Sequence, residues 1–434
     1  MTNKILYFLF LVLTISLSCQ AVQVNAADIV ITRPGRQAVP MALVRALPAQ
    51  QADLALETTL NQVLQADLDL SGLVSFIDPA AFLDDARRPT LTSRDVNFAQ
   101  WQVLGTHLLI KGRYHLSGNN LTLELRLFDV SNRRLLTGQN YQGRPQEVRR
   151  MAHRFADEVM RALTGRKGPF DTRIAYICTN SGHKELYIAD VDGHEPRRIT
   201  NHGHLVLNPD FAPHGRELLF TSYRHGNPDL FRKEIFSGHE ARISHQPGLN
   251  IAARYSPSGR EIALTLSRDG NAELYLMGLD GRIHKRLTNA WGIDVDPSFS
   301  PLGDRLVFVS DRLGSPQLFL LDLLSGQTQR LTTSGSYNVT PAWSPDNQWI
   351  LFSRLQQGVF NLFRIRPDGS DEQQLTFDGG SKEHARWSPD SRFVIYSEQQ
   401  GSKKRLMVMR ADGTGQRSIL TPPGSSSHPA WSQQ

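Results

Sequence analysis

Histidines and acids spaced along the C-terminal half are the side chains with most capacity for chemistry. His384 and His428 lie 44 residues apart, His202 and His204 sit upstream, and Asp296 falls on the same spacing as the first pair. Imidazole and carboxylate groups gathered at one point could hold Zn²⁺ or exchange protons with a substrate. The spacing contains no tight ligand motif, so polarity at a channel mouth is the default reading, with no metal, cofactor or catalytic residue expected. There is no Gly-x-Ser-x-Gly elbow and no phosphate-cradling Gly-x-x-x-x-Gly-Lys-Ser/Thr loop. Asp192, Asp280, Asp368 and Asp412 each precede a glycine and read as turn residues. Two cysteines, Cys19 and Cys178, are too few for a disulfide framework or a four-cysteine zinc site.

Composition narrows the class. The 434 residues exceed one ordinary domain; 40% are hydrophobic and 21% charged, as in a protein that buries a core. The net charge of +6 is spread without a dense basic run, which disfavours a nucleic-acid groove. At the start, Lys4 precedes an apolar run over 5–17, then Val24-Asn25-Ala26. This pattern predicts a signal peptide over 1–26, cleaved after Ala26 and too short to span a bilayer. Ser16-Leu17-Ser18 before Cys19 lacks the aliphatic residue of a lipobox. Cys178 then has no partner and is expected inside a strand over 174–178.

The strongest signal is a repeat. Phe211-Ala212-Pro213, Tyr255-Ser256-Pro257, Phe299-Ser300-Pro301, Trp343-Ser344-Pro345 and Trp387-Ser388-Pro389 are each 44 residues apart, and Trp431-Ser432 falls on the same ruler. A second series runs Leu186-Tyr187, Leu230-Phe231, Leu274-Tyr275, Leu318-Phe319, Leu362-Phe363 and Leu406-Met407. Each unit reads as four short strands a–d. In one of them strand a is 341–344, b is 349–353, c is 361–365 and d is 373–376, with Asp368-Gly369 as a hairpin turn. Such units are the size of β-propeller blades. The first unit, 174–200, lacks strand a, and Pro429–Ser432 supplies one with nothing after it. The count predicts six blades over 173–434, closed by the C-terminal strand.

A small α/β domain is expected ahead of the propeller, over 28–164, with a linker at 165–172. Asp28–Thr32 and 76–77 read as short strands, 51–70 and 145–163 as helices, 95–104 as a shorter helix, and 107–114, 121–128 and 134–141 as strands.

Within the propeller, one residue per unit lies three positions before the aromatic anchor: Asn208, Ala252, Asp296, Thr340, His384 and His428. The inner strands converge on the axis, so these side chains and the loops entering strand a, with Leu249, Asn250, Asp294, Tyr337 and Glu383, are expected to ring one mouth. A mixture of aliphatic, aromatic and polar groups suits a protein interface.

The junction Leu163-Thr164-Gly165-Arg166-Lys167-Gly168-Pro169-Phe170-Asp171-Thr172-Arg173-Ile174-Ala175-Tyr176 and the terminal Pro429-Ala430-Trp431-Ser432, together with the domain order, resemble the TolB family of the Tol-Pal system over the full length. The resemblance implies a non-enzymatic, monomeric protein of the Gram-negative periplasm. It implies that the lipoprotein Pal docks at the propeller mouth, on Asn208, Leu249, Asn250, Ala252, Asp294, Asp296, Thr340, His384 and His428. It also implies that TolA takes the mature N-terminus at Asp28, Ile29, Val30, Ile31 and Thr32, in the service of outer-membrane invagination and integrity during division. Arg33-Pro34-Gly35-Arg36-Gln37 departs from the family, whose corresponding stretch is more acidic and Ser/Gly-rich. The rival class is a propeller hydrolase or lyase with its site in the channel, which would need strongly perturbed acids or bases.

Overall fold

Repeating strands with no hydrophobic face to spare must stack, and the computed structural model, which describes residues 38–377 and 379–433, arranges them as a six-bladed propeller behind an α/β region. The expected signal peptide and the strand at Asp28–Thr32 lie outside the described residues.

In the α/β region, β1 (Val39–Leu43), β2 (Leu47–Pro48), α1 (Leu54–Ser71), β3 (Val74–Phe76), α2 (Phe98–Val103), β4 (Leu108–Ser117), β5 (Asn120–Asp129), β6 (Arg134–Gly143) and α3 (Val148–Thr164) follow in order. The sheet runs β3-β1-β4-β5-β6, with β2 beside β4. β1 pairs in parallel with both β3 and β4 and was not legible in the sequence. Alternate residues of β4 divide between two cores. Leu108 and Ile110 meet α1 and α3, while Leu109 meets Phe98 and Trp101. The second core is pinned by a buried ion pair: Lys111 Nζ donates to Asp85 Oδ2 at 2.8 Å, and the Trp101 indole donates to the same oxygen at 2.8 Å. Asp53 caps α1 by accepting from Leu56 N, and Gly72, at φ 66°, ends it.

Five blades are formed from consecutive strands, and the remaining one joins the final strand Ser426–Trp431 to β7 (Arg173–Cys178), β8 (Glu185–Asp190) and β9 (Arg197–Arg198). Cys178 is buried in β7. In each of four blades a threonine at the end of strand d bonds back to the start of strand c. Thr288 Oγ1 accepts from Leu274 N at 3.0 Å and donates to the buried Glu273 carboxylate at 2.5 Å. Thr200 with Glu185, Thr332 with Gln317 and Thr376 with Asn361 repeat this clasp. Buried polar groups so paired fix where the outer strand ends.

The seam is more heavily bonded than strand pairing requires. The Trp431 indole donates to Thr172 Oγ1 at 2.8 Å, Ser432 Oγ accepts from Arg173 N at 2.9 Å, and Thr172 Oγ1 donates to Pro169 O. Asp157 of α3 accepts from Phe170 N at 2.7 Å and Asp171 N at 3.1 Å. Ring closure and the segment leading from α3 into β7 therefore share one set of bonds.

The α/β region sits against one rim of the ring. Arg410 Nε donates to Leu70 O at 2.9 Å and Arg417 donates to Ala66 O at 2.8 Å, so two propeller cations meet carbonyls in the last turns of α1. Asp192, in the turn after β8, pairs with Arg149 of α3. His153 Nδ1 lies 2.6 Å from Asp67 Oδ2 and its Nε2 3.6 Å from Asp192. Burial works against a charge on His153, but the two carboxylates outweigh it and hold the imidazolium up to about 10. Asp192, the end of strand c (Lys403–Arg410) and the start of strand d (Arg417–Ser418) all lie where inner strands turn into strand b. We call this the lower rim. The upper rim, where inner strands begin, carries none of these contacts.

Trp431→Ala empties the seam of its indole and should lower unfolding free energy by about 3–5 kcal/mol in urea titration. A loss below about 1 kcal/mol would show that closure does not rest on this side chain.

Candidate functional site

Each inner strand touches the next, and the final strand touches both Lys382–Trp387 and Val206–Phe211, so six inner strands enclose an axis. Every one of them carries a bulge at the same place, as between Leu207 and Asp210 or Glu383 and Arg386. The six ring residues sit in these bulges. Asn208, Ala252, Asp296 and Thr340 have φ of 53°, His384 56° and His428 50°. For a β-branched threonine this left-handed backbone is costly, on the order of 1–3 kcal/mol. The bulge turns the strand at the axis and re-aims its side chains.

The six, expected to ring the mouth together with the loops entering strand a, lie within the strand itself. Strand a of the fifth blade runs Asn338–Trp343, starting earlier than the 341–344 read from sequence, because the bulge interrupts the alternation on which that reading relied. Ala252 is fully buried, and Thr340 Oγ1 meets Ser353 Oγ at 3.0 Å. Asn250 and Asp294, expected at the mouth, are also fully buried. Asn250 Oδ1 accepts from Ser244 Oγ and Gln246 N, and Asp294 pairs with Arg312 at 2.7 Å, so both shape the connection into strand a. Leu249 is half-buried beside them, its N–H bonded to Ser267 Oγ. Glu383 pairs with Lys404 at 2.5 Å.

His384 and His428 do come together, their rings stacked with centroids 3.8 Å apart. Burial pushes His384 down to about 4 and His428 well below its ordinary value, with Lys404 and Arg254 adding to the effect. Glu383 works the other way on His384, and Lys184 also bears on His428. Both rings are neutral at neutral pH. Asp296 is raised by burial against the pull of Arg254. His202 is not part of this group. It bonds Ser222 Oγ at 2.7 Å and Glu240 at 3.2 Å, packed on Phe220 and Phe231. Among the described residues no three His, Cys, Asp or Glu side chains converge as a metal site would need.

Sequence reasoning missed an apolar arc on the upper rim. Trp291 is 77% exposed, Phe377 75% and Leu420 71%, with Ile293, Leu313 and Tyr337 also exposed. All six stand in loops that enter strand a or join strands b and c, over consecutive blades. Tyr337 meets Phe360 edge-on at 5.8 Å. Clustered exposed aromatics rimmed by polar groups mark an interaction surface. The signal was present as apolar residues at loop positions of successive repeats, but only Leu249 and Tyr337 were drawn from it.

A family model described as the TolB beta propeller domain matches residues 160–434, and one described as the TolB amino-terminal domain matches 27–136. A curated relative from Syntrophotalea carbinolica, named Tol-Pal system protein TolB, is 56% identical over 211 residues, 48% of this chain and 49% of the relative. One of the same name from Geobacter sulfurreducens is 40% identical over 166 residues, 38% of each chain. The matched stretch thus spans about half the length of the curated relatives or less. The crystal structure of TolB from Acinetobacter baumannii superposes with a TM-score of 0.80 at 26% identity, covering 92% of this chain and 98% of that one.

Lowering the pH tests the buried histidines. Between about 6.5 and 4 the unfolded His384 binds a proton that the folded one refuses, so the wild type loses stability as pH falls through that window. His384→Asn, which puts at 384 the residue found at 208, should flatten this loss in melting curves. An unchanged pH dependence would place His384 in water.

Proposed function

The chain belongs to the TolB family, and from that premise we propose that it is a periplasmic, non-enzymatic adapter of the Tol-Pal system. In this reading the upper rim of the propeller binds Pal, and residues Asp28–Thr32 bind TolA, linking an outer-membrane lipoprotein to an inner-membrane partner during outer-membrane invagination. One observation carries the assignment of the rim: the apolar arc from Trp291 to Leu420 stands on the side of the ring that the α/β region leaves free. Exposed tryptophan and phenylalanine side chains lose water on docking and supply the anchors of a standard interface. Asn208, Asp296, His384 and His428 line the axis beneath that arc and would receive whatever side chain a partner inserts. Leu249 and Thr340 flank it, while Ala252, Asn250 and Asp294 would support it from within.

A strand beside a free end can add to a partner's sheet edge, its backbone bonds giving affinity. This is the physical basis proposed for the TolA contact. The lowered histidines meet the condition set for a channel-centred enzyme, but their rings stack on each other and among the described residues no third His, Cys, Asp or Glu joins them as a metal site would need.

Ala252→Arg is not a clean probe, because the site is fully buried at φ 53°. Trp291→Asp combined with Phe377→Asp is better, both side chains being exposed. The double variant should melt like wild type and bind purified Pal at least about thirtyfold more weakly by calorimetry, one hot spot alone being worth about 2 kcal/mol. Removing residues 28–32 should leave that affinity alone and abolish TolA capture. Wild-type Pal affinity in the double variant would refute the upper-rim assignment.

A further inference from the structure

We propose that the lower end of the axial lumen is a binding site for a multiply charged oxyanion, one whose carboxylate or phosphate groups are met by guanidinium groups from opposite blades. The site lies on the rim away from the apolar arc and stands independently of how Pal docks.

The lumen opens at the lower rim into a cavity of about 400 Å³, within the range of small-molecule sites. Arg254 and Arg386 both line it. They occupy the same position of strand a in blades three apart, and in a ring of six that places them on opposite sides of the axis. Both side chains are held alike. Arg254 donates to Ala253 O and Arg386 to Ala385 O, each at 2.9 Å, and no carboxylate pairs with either one among the described residues. Arg386 Nε is buried and has no hydrogen-bond partner. A buried donor left unpaired is costly, and a small turn of the Arg386 side chain would bring it to an acceptor held in the cavity.

The rest of the lining is mainly aromatic rings, prolines and hydroxyls with one carboxylate, so the two guanidinium groups set the sign of the site. The carboxylate there, Asp210, already accepts from Tyr255 N at 2.9 Å. Burial raises it to about 6, against the pull of Arg254. Ser298 contributes a hydroxyl, and its Oγ accepts from Trp343 N at 3.1 Å, which leaves the O–H to donate inward. The adjoining groove shares Pro345 and Gln433 with the cavity and carries Arg166 and Lys167 beside Asp346 and Asp390. A planar guanidinium takes two oxygens of a carboxylate or phosphate at once, so a pair facing each other selects ligands with two such groups.

Calorimetry on the full chain at low salt would use citrate and pyrophosphate as small anions and a tetraglutamate peptide as the polypeptide source of the same groups. Saturable binding of at least one probe is expected, and which probe binds tightest distinguishes free anion from acidic peptide. Arg386→Gln should weaken it about tenfold or more, and Arg254→Gln with Arg386→Gln should abolish it. Arg386→Gln should also unfold at no lower urea concentration than wild type, since it removes an unpaired donor. Arg386→Lys keeps the charge without the fork and should recover part of the affinity. Failure of all three probes to bind wild type, or wild-type affinity in the double variant, would overturn the site.

Discussion

A four-stranded blade left with three strands would expose the backbone groups of β7 as a template for any passing chain. The final strand prevents this by pairing with β7, from Ser426 opposite Cys178 to Trp431 opposite Ile174. Because no blade can bury both its faces alone, stability of all six rests on that single non-local pairing. The bonds of Trp431 and Ser432 to Thr172 and Arg173 then tie the closed ring to the segment that leaves α3. Movement of the α/β region and opening of the ring act on the same few residues.

That coupling gives the two rims different roles. The lower rim holds the α/β region through arginines on the end of α1 and through the buried group of Asp67, His153 and Asp192. The charges of that buried group are paired and desolvated, so they orient more than they stabilise. The upper rim is free of such contacts and presents aromatic and aliphatic side chains to water over consecutive blades, whereas the lower rim exposes Phe236, Leu302 and Leu324. For the proposed scaffold this separation would let a partner engage the upper rim without displacing the α/β region.

How much of this was legible follows from what each feature does to the sequence. The 44-residue period, the missing first strand and its replacement by Pro429–Trp431 are all visible because aromatic anchors and turn residues recur at fixed places. α1 and α3 were visible through their apolar faces and their glycine stops, Gly72 and Gly165. β1 was not, because a short parallel strand buried on both sides has no alternation to read. The ring Asn208–His428 was found by position, yet its bulged backbone was hidden: asparagine, aspartate and histidine favour φ near 53°, but alanine and threonine at two of the six places break that signal. Burial of Asn250 and Asp294 was hidden for a related reason, since polar residues in a loop look solvated until their partners, Ser244 and Arg312, are known. The opposed arginines needed the ring itself before their positions had meaning.

Hydrogen exchange on the full chain, with and without purified Pal, bears most directly on the claim that the upper rim grips another polypeptide. Protection is expected at 289–293, 333–337 and 420–425, with the turns of the lower rim unchanged. Protection confined to the lower rim, or none at the upper loops under saturating Pal, would contradict it.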